Sequence, residues 1–74
     1  MENIKVGVFG AGRGCAIALN FAKIGAKIVA ICDNHKVRRD EAIKRLELLN
    51  QTVTPYDNFD DFIKEDMDAI IIAN

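Results

Sequence analysis

Seventy-four residues amount to about half of a typical domain. A chain near this length buries only about 60% of its unfolded surface. The composition is nevertheless that of a larger protein's interior, 50% hydrophobic with a single proline, and two cysteines exclude a disulfide framework. Ten basic against eleven acidic residues leave a net charge of −1, which excludes the electrostatic footprint of a nucleic-acid or anionic-membrane binder. The chain is therefore expected to be a piece of something larger, or to be completed by a partner. No apolar run is long enough to span a bilayer. The first residues lack the layout of a signal peptide, so the cytoplasm is the expected compartment.

In chain order, Ile4, Val6, Val8 and Phe9 form a short apolar run ending at Gly10, which reads as a strand. A glycine-rich turn follows, Gly10-Ala11-Gly12-Arg13-Gly14. From Arg13 to Ile24 the pattern is helical: Ile17, Phe21 and Ile24 form one stripe, and Cys15, Ala18, Leu19 and Ala22 a second. With so few polar positions, this helix is expected to be covered on more than one side. Gly25 suits the positive φ of a helix C-terminus. Lys27 to Cys32 is a second strand, apolar without alternation, as in sheets buried on both faces. Asp33 ends it, and Asn34 is a candidate cap for a helix running to about Leu49. On that helix Ala42, Leu46 and Leu49 share a face, and Asp40–Lys44 and Glu41–Arg45 are i, i+4 pairs. Gln51 to Thr54 reads as a weak third strand closed by Pro55. Asn58 caps a short helix with Phe59, Phe62 and Ile63 on one face, and Ala69 to Ala73 is a fourth strand. The β-α-β-α-β-α-β order implies parallel right-handed crossovers and a strand order of 3-2-1-4. That is half of a doubly wound α/β sheet.

The glycine turn sits where a dinucleotide-binding fingerprint belongs, between a strand and a helix. Gly10 permits the tight turn, Gly12 lets the backbone approach a pyrophosphate, and the helix N-terminus offers free N–H groups. Asp33 lies 21 residues beyond Gly12, close to the spacing of about 20 at which an acidic residue accepts hydrogen bonds from ribose hydroxyls. The third fingerprint position is Cys15 instead of glycine or alanine, with Gly14 one residue earlier. The same loop, read as Gly10-x-Gly12-x-Gly14, resembles the first motif of S-adenosylmethionine-dependent methyltransferases. Those usually carry an acidic residue where this chain has Val8.

Four blocks stand out: Lys5 to Gly14, Val29 to Asp33, Tyr56 with Phe59-Asp60-Asp61-Phe62, and Asp68 to Ala73. Together they resemble the N-terminal NAD(P)-binding Rossmann domain of the Gfo/Idh/MocA oxidoreductases. The resemblance implies a two-domain enzyme that transfers a hydride between nicotinamide and a sugar or polyol carbon. It implies that Gly10, Ala11, Gly12, Arg13 and Gly14 hold the pyrophosphate and Asp33 the adenosine ribose, with Asn34 beside it. Arg38 would lie beside the adenine, and Ala73 and Asn74 would line the cofactor's path where threonine is more usual than Asn74. The family's Glu-Lys-Pro motif and its downstream Asp and His are absent from the 74 residues. The chain is thus expected to be the first half of a dinucleotide-binding domain, to bind NAD in preference to NADP, and to have no turnover without its second domain. Two alternatives stay open. One is a stand-alone nucleotide-binding half-fold, or a module pairing with a second copy through β-strand one or four. The other is an S-adenosylmethionine-binding domain.

His35 reads as a solvated first-turn residue, with contact to adenine as the alternative, and no cysteine or carboxylate stands at zinc-ligand spacing from it. Cys15 reads as a small packing residue, with a reactive helix-N-terminal thiol as the alternative. Cys32 reads as buried and inert, and a bridge between the two stays open. Lys36, Arg38 and Arg39 form a basic cluster, either a solvated helix face or an acceptor for a 2′-phosphate. The acidic stretch from Asp57 to Asp68 reads as an amphipathic surface helix.

Overall fold

The computed structural model describes residues 4–73. A four-stranded parallel sheet, in the order β3-β2-β1-β4, carries helices on both faces. Its strands are β1 (Lys5–Phe9), β2 (Lys27–Cys32), β3 (Thr54–Tyr56) and β4 (Ala69–Ile72). Between them run α1 (Ala11–Lys23), α2 (Lys36–Glu47) and α3 (Phe59–Phe62). This is the α/β, Rossmann-type arrangement expected from the alternation of elements.

One core lies between the sheet and the first two helices. Val6, Val8, Ile28 and Ile31 meet Ala11, Cys15 and Ala18 of α1 and Ala42 and Leu46 of α2. The other lies beneath the opposite face, where Phe62 packs with Ala30 and Cys32, and Met67, Tyr56 and Phe9 close around them. Ile28 and Ile31 face the same core although a regular strand would place them on opposite faces. The register explains this: Val6 pairs with Ile28 but Gly7 with Ala30, so Val29 is an extra residue in β2. The bulge reverses the facing of everything after it. Asp33 consequently falls on the α1 side of the sheet.

Gly7 accommodates the second core. A Cβ there would stand 2.8 Å from the Phe62 ring and would overlap the Met67 sulfur. Hydrogen bonds from Lys5 to Asp68, Lys27 to Ile4 and Ala73 to Phe9 close the crossovers.

Several expected boundaries shift. The first helix begins at Ala11 instead of Arg13, because Gly10, at φ 102°, serves as its N-cap. Its inward face is Ala11, Gly14, Cys15 and Ala18, whereas Ile17 and Ile24 of the expected first stripe are exposed and Phe21 is half-buried. Gly25 has the positive φ expected of it, 103°. The second helix is capped by His35, not Asn34: the His35 Nδ1 accepts from the Arg38 N–H at 3.3 Å. That helix stops at Glu47, short of Leu49. Asp40 pairs with Lys36 at 2.6 Å instead of Lys44, and among the described residues Glu41 and Arg45 form no ion pair. The third strand lies at Thr54–Tyr56, not Gln51–Thr54. It is a sheet edge, so Pro55, with no N–H to offer, is tolerated within it. The acidic stretch holds only the single turn of α3, which Asn58 caps by accepting from the Asp61 N–H. Since β1 lies between β2 and β4, association through β1 is excluded, and only β4 keeps that possibility.

Candidate functional site

The C-terminal ends of the parallel strands open into a cleft of about 640 Å³. That is where open α/β sheets bind ligands, at the point where the strand order reverses. Here it reverses between β1 and β4, since β2 lies on one side of β1 and β4 on the other.

The cleft floor is the turn from β1 into α1. Gly10 fixes it: its N–H donates to the Cys32 carbonyl at 3.0 Å, and its own carbonyl accepts from Gly14 N–H at 3.0 Å. The Ala11 N–H donates to the Asp33 Oδ2 at 2.9 Å. Among the described residues the N–H groups of Gly12 and Arg13 have no acceptor. No acidic side chain stands in the first turn of α1 to neutralise its positive end. These free donors and the helix dipole, with Arg13 among the cleft-lining residues, form a cradle suited to an anion.

Asp33 is the other half of the site. Its Oδ1 accepts from the His35 N–H at 2.8 Å while its Oδ2 holds Ala11. Burial pushes this carboxyl up, but the His35 and Ala11 N–H groups and the nearby Arg38 charge hold it below the ordinary carboxylate value. It is therefore an anionic acceptor near neutral pH, and each oxygen keeps a lone pair for a further donor. The backbone at Asp33 is fixed as well, its N–H donating to the Tyr56 carbonyl at 3.1 Å and its carbonyl accepting from Arg39 Nη1 at 2.8 Å.

Of the residues expected in the site, Gly10, Gly12, Arg13, Asp33, Asn34, Arg38 and Ala73 line the cleft. Ala11 and Gly14 do not. Both are buried and support the floor from behind. Gly14 fills the role the fingerprint reserves for its third glycine, since a Cβ there would stand 2.5 Å from Val8 Cγ1. Helix and strand thus touch at Gly14, and Cys15 is a buried packing residue. Asn74 lies outside the described residues. Arg38 lies across the loop, its Cδ 3.4 Å from where a Gly12 Cβ would be. The basic cluster does not act together: Lys36 is held by Asp40 and Arg39 by the Asp33 carbonyl.

Phe9, Cys32, Asp57 and Phe59 also line the cleft. Three of them end or directly follow a parallel strand, so the strand-end rule could have found Phe9, Cys32 and Asp57. Cys32 is buried, and burial raises its thiol pKa. Both cysteines are free.

The fold and cleft together define a Rossmann-type four-stranded parallel sheet. No family model matches the sequence, and no curated protein matches it. Among solved structures, the fold is similar to that of the WlbA dehydrogenase from Chromobacterium violaceum, determined in complex with NADH and UDP-GlcNAcA. The TM-score is 0.75 over 100% of this chain, at 19% identity. The chain spans 21% of that protein's length. No helix among the described residues is long and apolar enough to cross a membrane.

Proposed function

We propose that this chain binds a nicotinamide dinucleotide, NAD in preference to NADP, as the first half of the cofactor-binding domain of a cytoplasmic oxidoreductase. The parent enzyme resembles the Gfo/Idh/MocA sugar and polyol dehydrogenases. The observation that carries this reading is the pairing, in one cleft, of the free Gly12 and Arg13 N–H groups with the ionised Asp33 carboxylate.

In this reading Gly12 and Arg13 donate to the pyrophosphate, on a floor shaped by Gly10, Ala11 and Gly14. Asp33 accepts from both adenosine ribose hydroxyls and repels a 2′-phosphate. Arg38 and Asn34 flank the adenine. Ala73 lies toward the nicotinamide, which when bound gives or takes a hydride. The engagement of Lys36 and Arg39 elsewhere further favours NAD, because it leaves Arg38 without a basic partner at this end. The 74 residues hold no Glu-Lys-Pro motif, so binding without turnover is expected of them. The S-adenosylmethionine alternative is disfavoured because Val8, where its acidic residue would stand, is fully buried and apolar.

Titration calorimetry of the chain with NAD, NADP and S-adenosylmethionine tests the proposal. NAD should bind more tightly than NADP, and S-adenosylmethionine should not compete. Asp33→Ala should lower NAD affinity by about tenfold or more and narrow the gap to NADP. Absence of NAD binding, or S-adenosylmethionine binding in its place, would overturn it.

A further inference from the structure

We propose that Asp57 reads the base of the bound nucleotide, accepting a hydrogen bond from the exocyclic amino group of adenine. The site is then selective for an amino-bearing purine over a keto purine. This rests on the dinucleotide reading above and names the group that recognises the far end of that ligand.

The argument starts from strand register. Cys32 of β2 pairs with Tyr56 of β3, and the Asp33 N–H donates to the Tyr56 carbonyl at 3.1 Å. Asp33 and Asp57 therefore leave the sheet at the same level, one strand apart, and neighbouring strands are separated by about 4.8 Å. The free N–H groups of the anion cradle stand at the end of β1, Asp33 at the end of β2 and Asp57 just beyond β3. Phosphate, ribose and base follow one another along a nucleotide in that same sequence. A nucleotide whose phosphate sits on α1 and whose ribose reaches Asp33 therefore carries its base onward toward β3. Ala73, beyond β4, lies on the opposite side and takes the other half of the dinucleotide.

The chemistry at Asp57 matches this position. Asp57 is exposed and lines the same cleft as Asp33 and Arg38. Among the described residues it forms no ion pair, and its one hydrogen bond is a 3.3 Å contact from the Asn58 amide to Oδ1. Among the described residues Oδ2 is thus left without a protein donor. A carboxylate only accepts hydrogen bonds, so whatever meets it must donate. Adenine offers an amino group there, whereas hypoxanthine offers a carbonyl, whose lone pairs a carboxylate repels. Phe59, two residues on and 41% exposed, adds an apolar wall against which a flat ring can lie.

The test compares NAD with nicotinamide hypoxanthine dinucleotide, in which the adenine amino group is replaced by a carbonyl. Affinities are measured by calorimetry on wild type, Asp57→Ala and Asp57→Asn, with circular dichroism to check the fold. Wild type should prefer NAD by roughly tenfold or more. Asp57→Ala should bring the ratio close to one. Asp57→Asn, whose amide can donate to a carbonyl, should move it toward the hypoxanthine analogue. If both dinucleotides bind and the ratio is the same in all three proteins, Asp57 does not read the base, while the dinucleotide reading stands. If neither binds to wild type, the dinucleotide reading fails and this assignment fails with it.

Discussion

Gly12 and Gly14 share the first turn of α1, yet an added methyl group meets different surroundings at each. At Gly14 it would press on the buried Val8 at 2.5 Å, within a packed core. Gly14→Ala should therefore cost about 1–3 kcal/mol, seen as a lower melting temperature by roughly 4–8 °C per kcal/mol. At Gly12 the same methyl group meets only the flexible Arg38 side chain at 3.4 Å, and Gly12 is exposed. Gly12→Ala should leave the melting temperature unchanged or raise it slightly, since alanine favours the helix by up to about 1 kcal/mol. Yet it should weaken NAD binding in calorimetry, because its Cβ would occupy the space the pyrophosphate needs. One substitution thus reports on packing and the other on the ligand. The sequence makes the loop visible but not this division of labour, since the close approach of Gly14 to Val8 is a property of the packed helix.

Asp33 joins two elements, carrying the end of β2 onto the start of α1 through its bond to Ala11. Its carboxyl titrates below the ordinary value, so its stabilising effect is complete above that value and fades as pH falls through the lowered one. Asp33→Asn should reduce stability near pH 7 by about 1–2 kcal/mol. In urea titrations the gap to wild type should hold down to about pH 5 and shrink below about pH 4. The strand carrying Asp33 was legible in the sequence to the residue, as was the aspartate's place after it. The bulge at Val29 was not: an uninterrupted apolar run has no alternation against which an extra residue shows. The start of α1 was hidden for a related reason, because Gly12 and Gly14 are poor helix formers and mask a helix built around them. Pro55 hid the true third strand, since an edge position accepts what an inner one refuses.

At the scale of the molecule, the sheet is unevenly covered. Val8, Ala30 and Ile31 are fully buried, while Ile72 at the end of β4 is 71% exposed. β4 pairs with β1 alone and leaves its outer edge without a partner among the described residues. An apolar, unpaired edge favours association. In sedimentation velocity the 74-residue chain should associate with rising concentration, and Ile72→Lys should hold it at monomer mass. A wild type that stays monomeric throughout would show that the edge is tolerated as it is. The bond from the Lys5 N–H to Asp68 joins positions 63 residues apart and helps seal the far side of β1. Of the four described strands, the one made first on a ribosome is therefore an interior strand of the sheet. It takes β2 on one side early, and its other side stays open until β4 has emerged. Until then, β1 exposes unpaired hydrogen-bonding groups during synthesis, when a nascent chain is most prone to wrong partners.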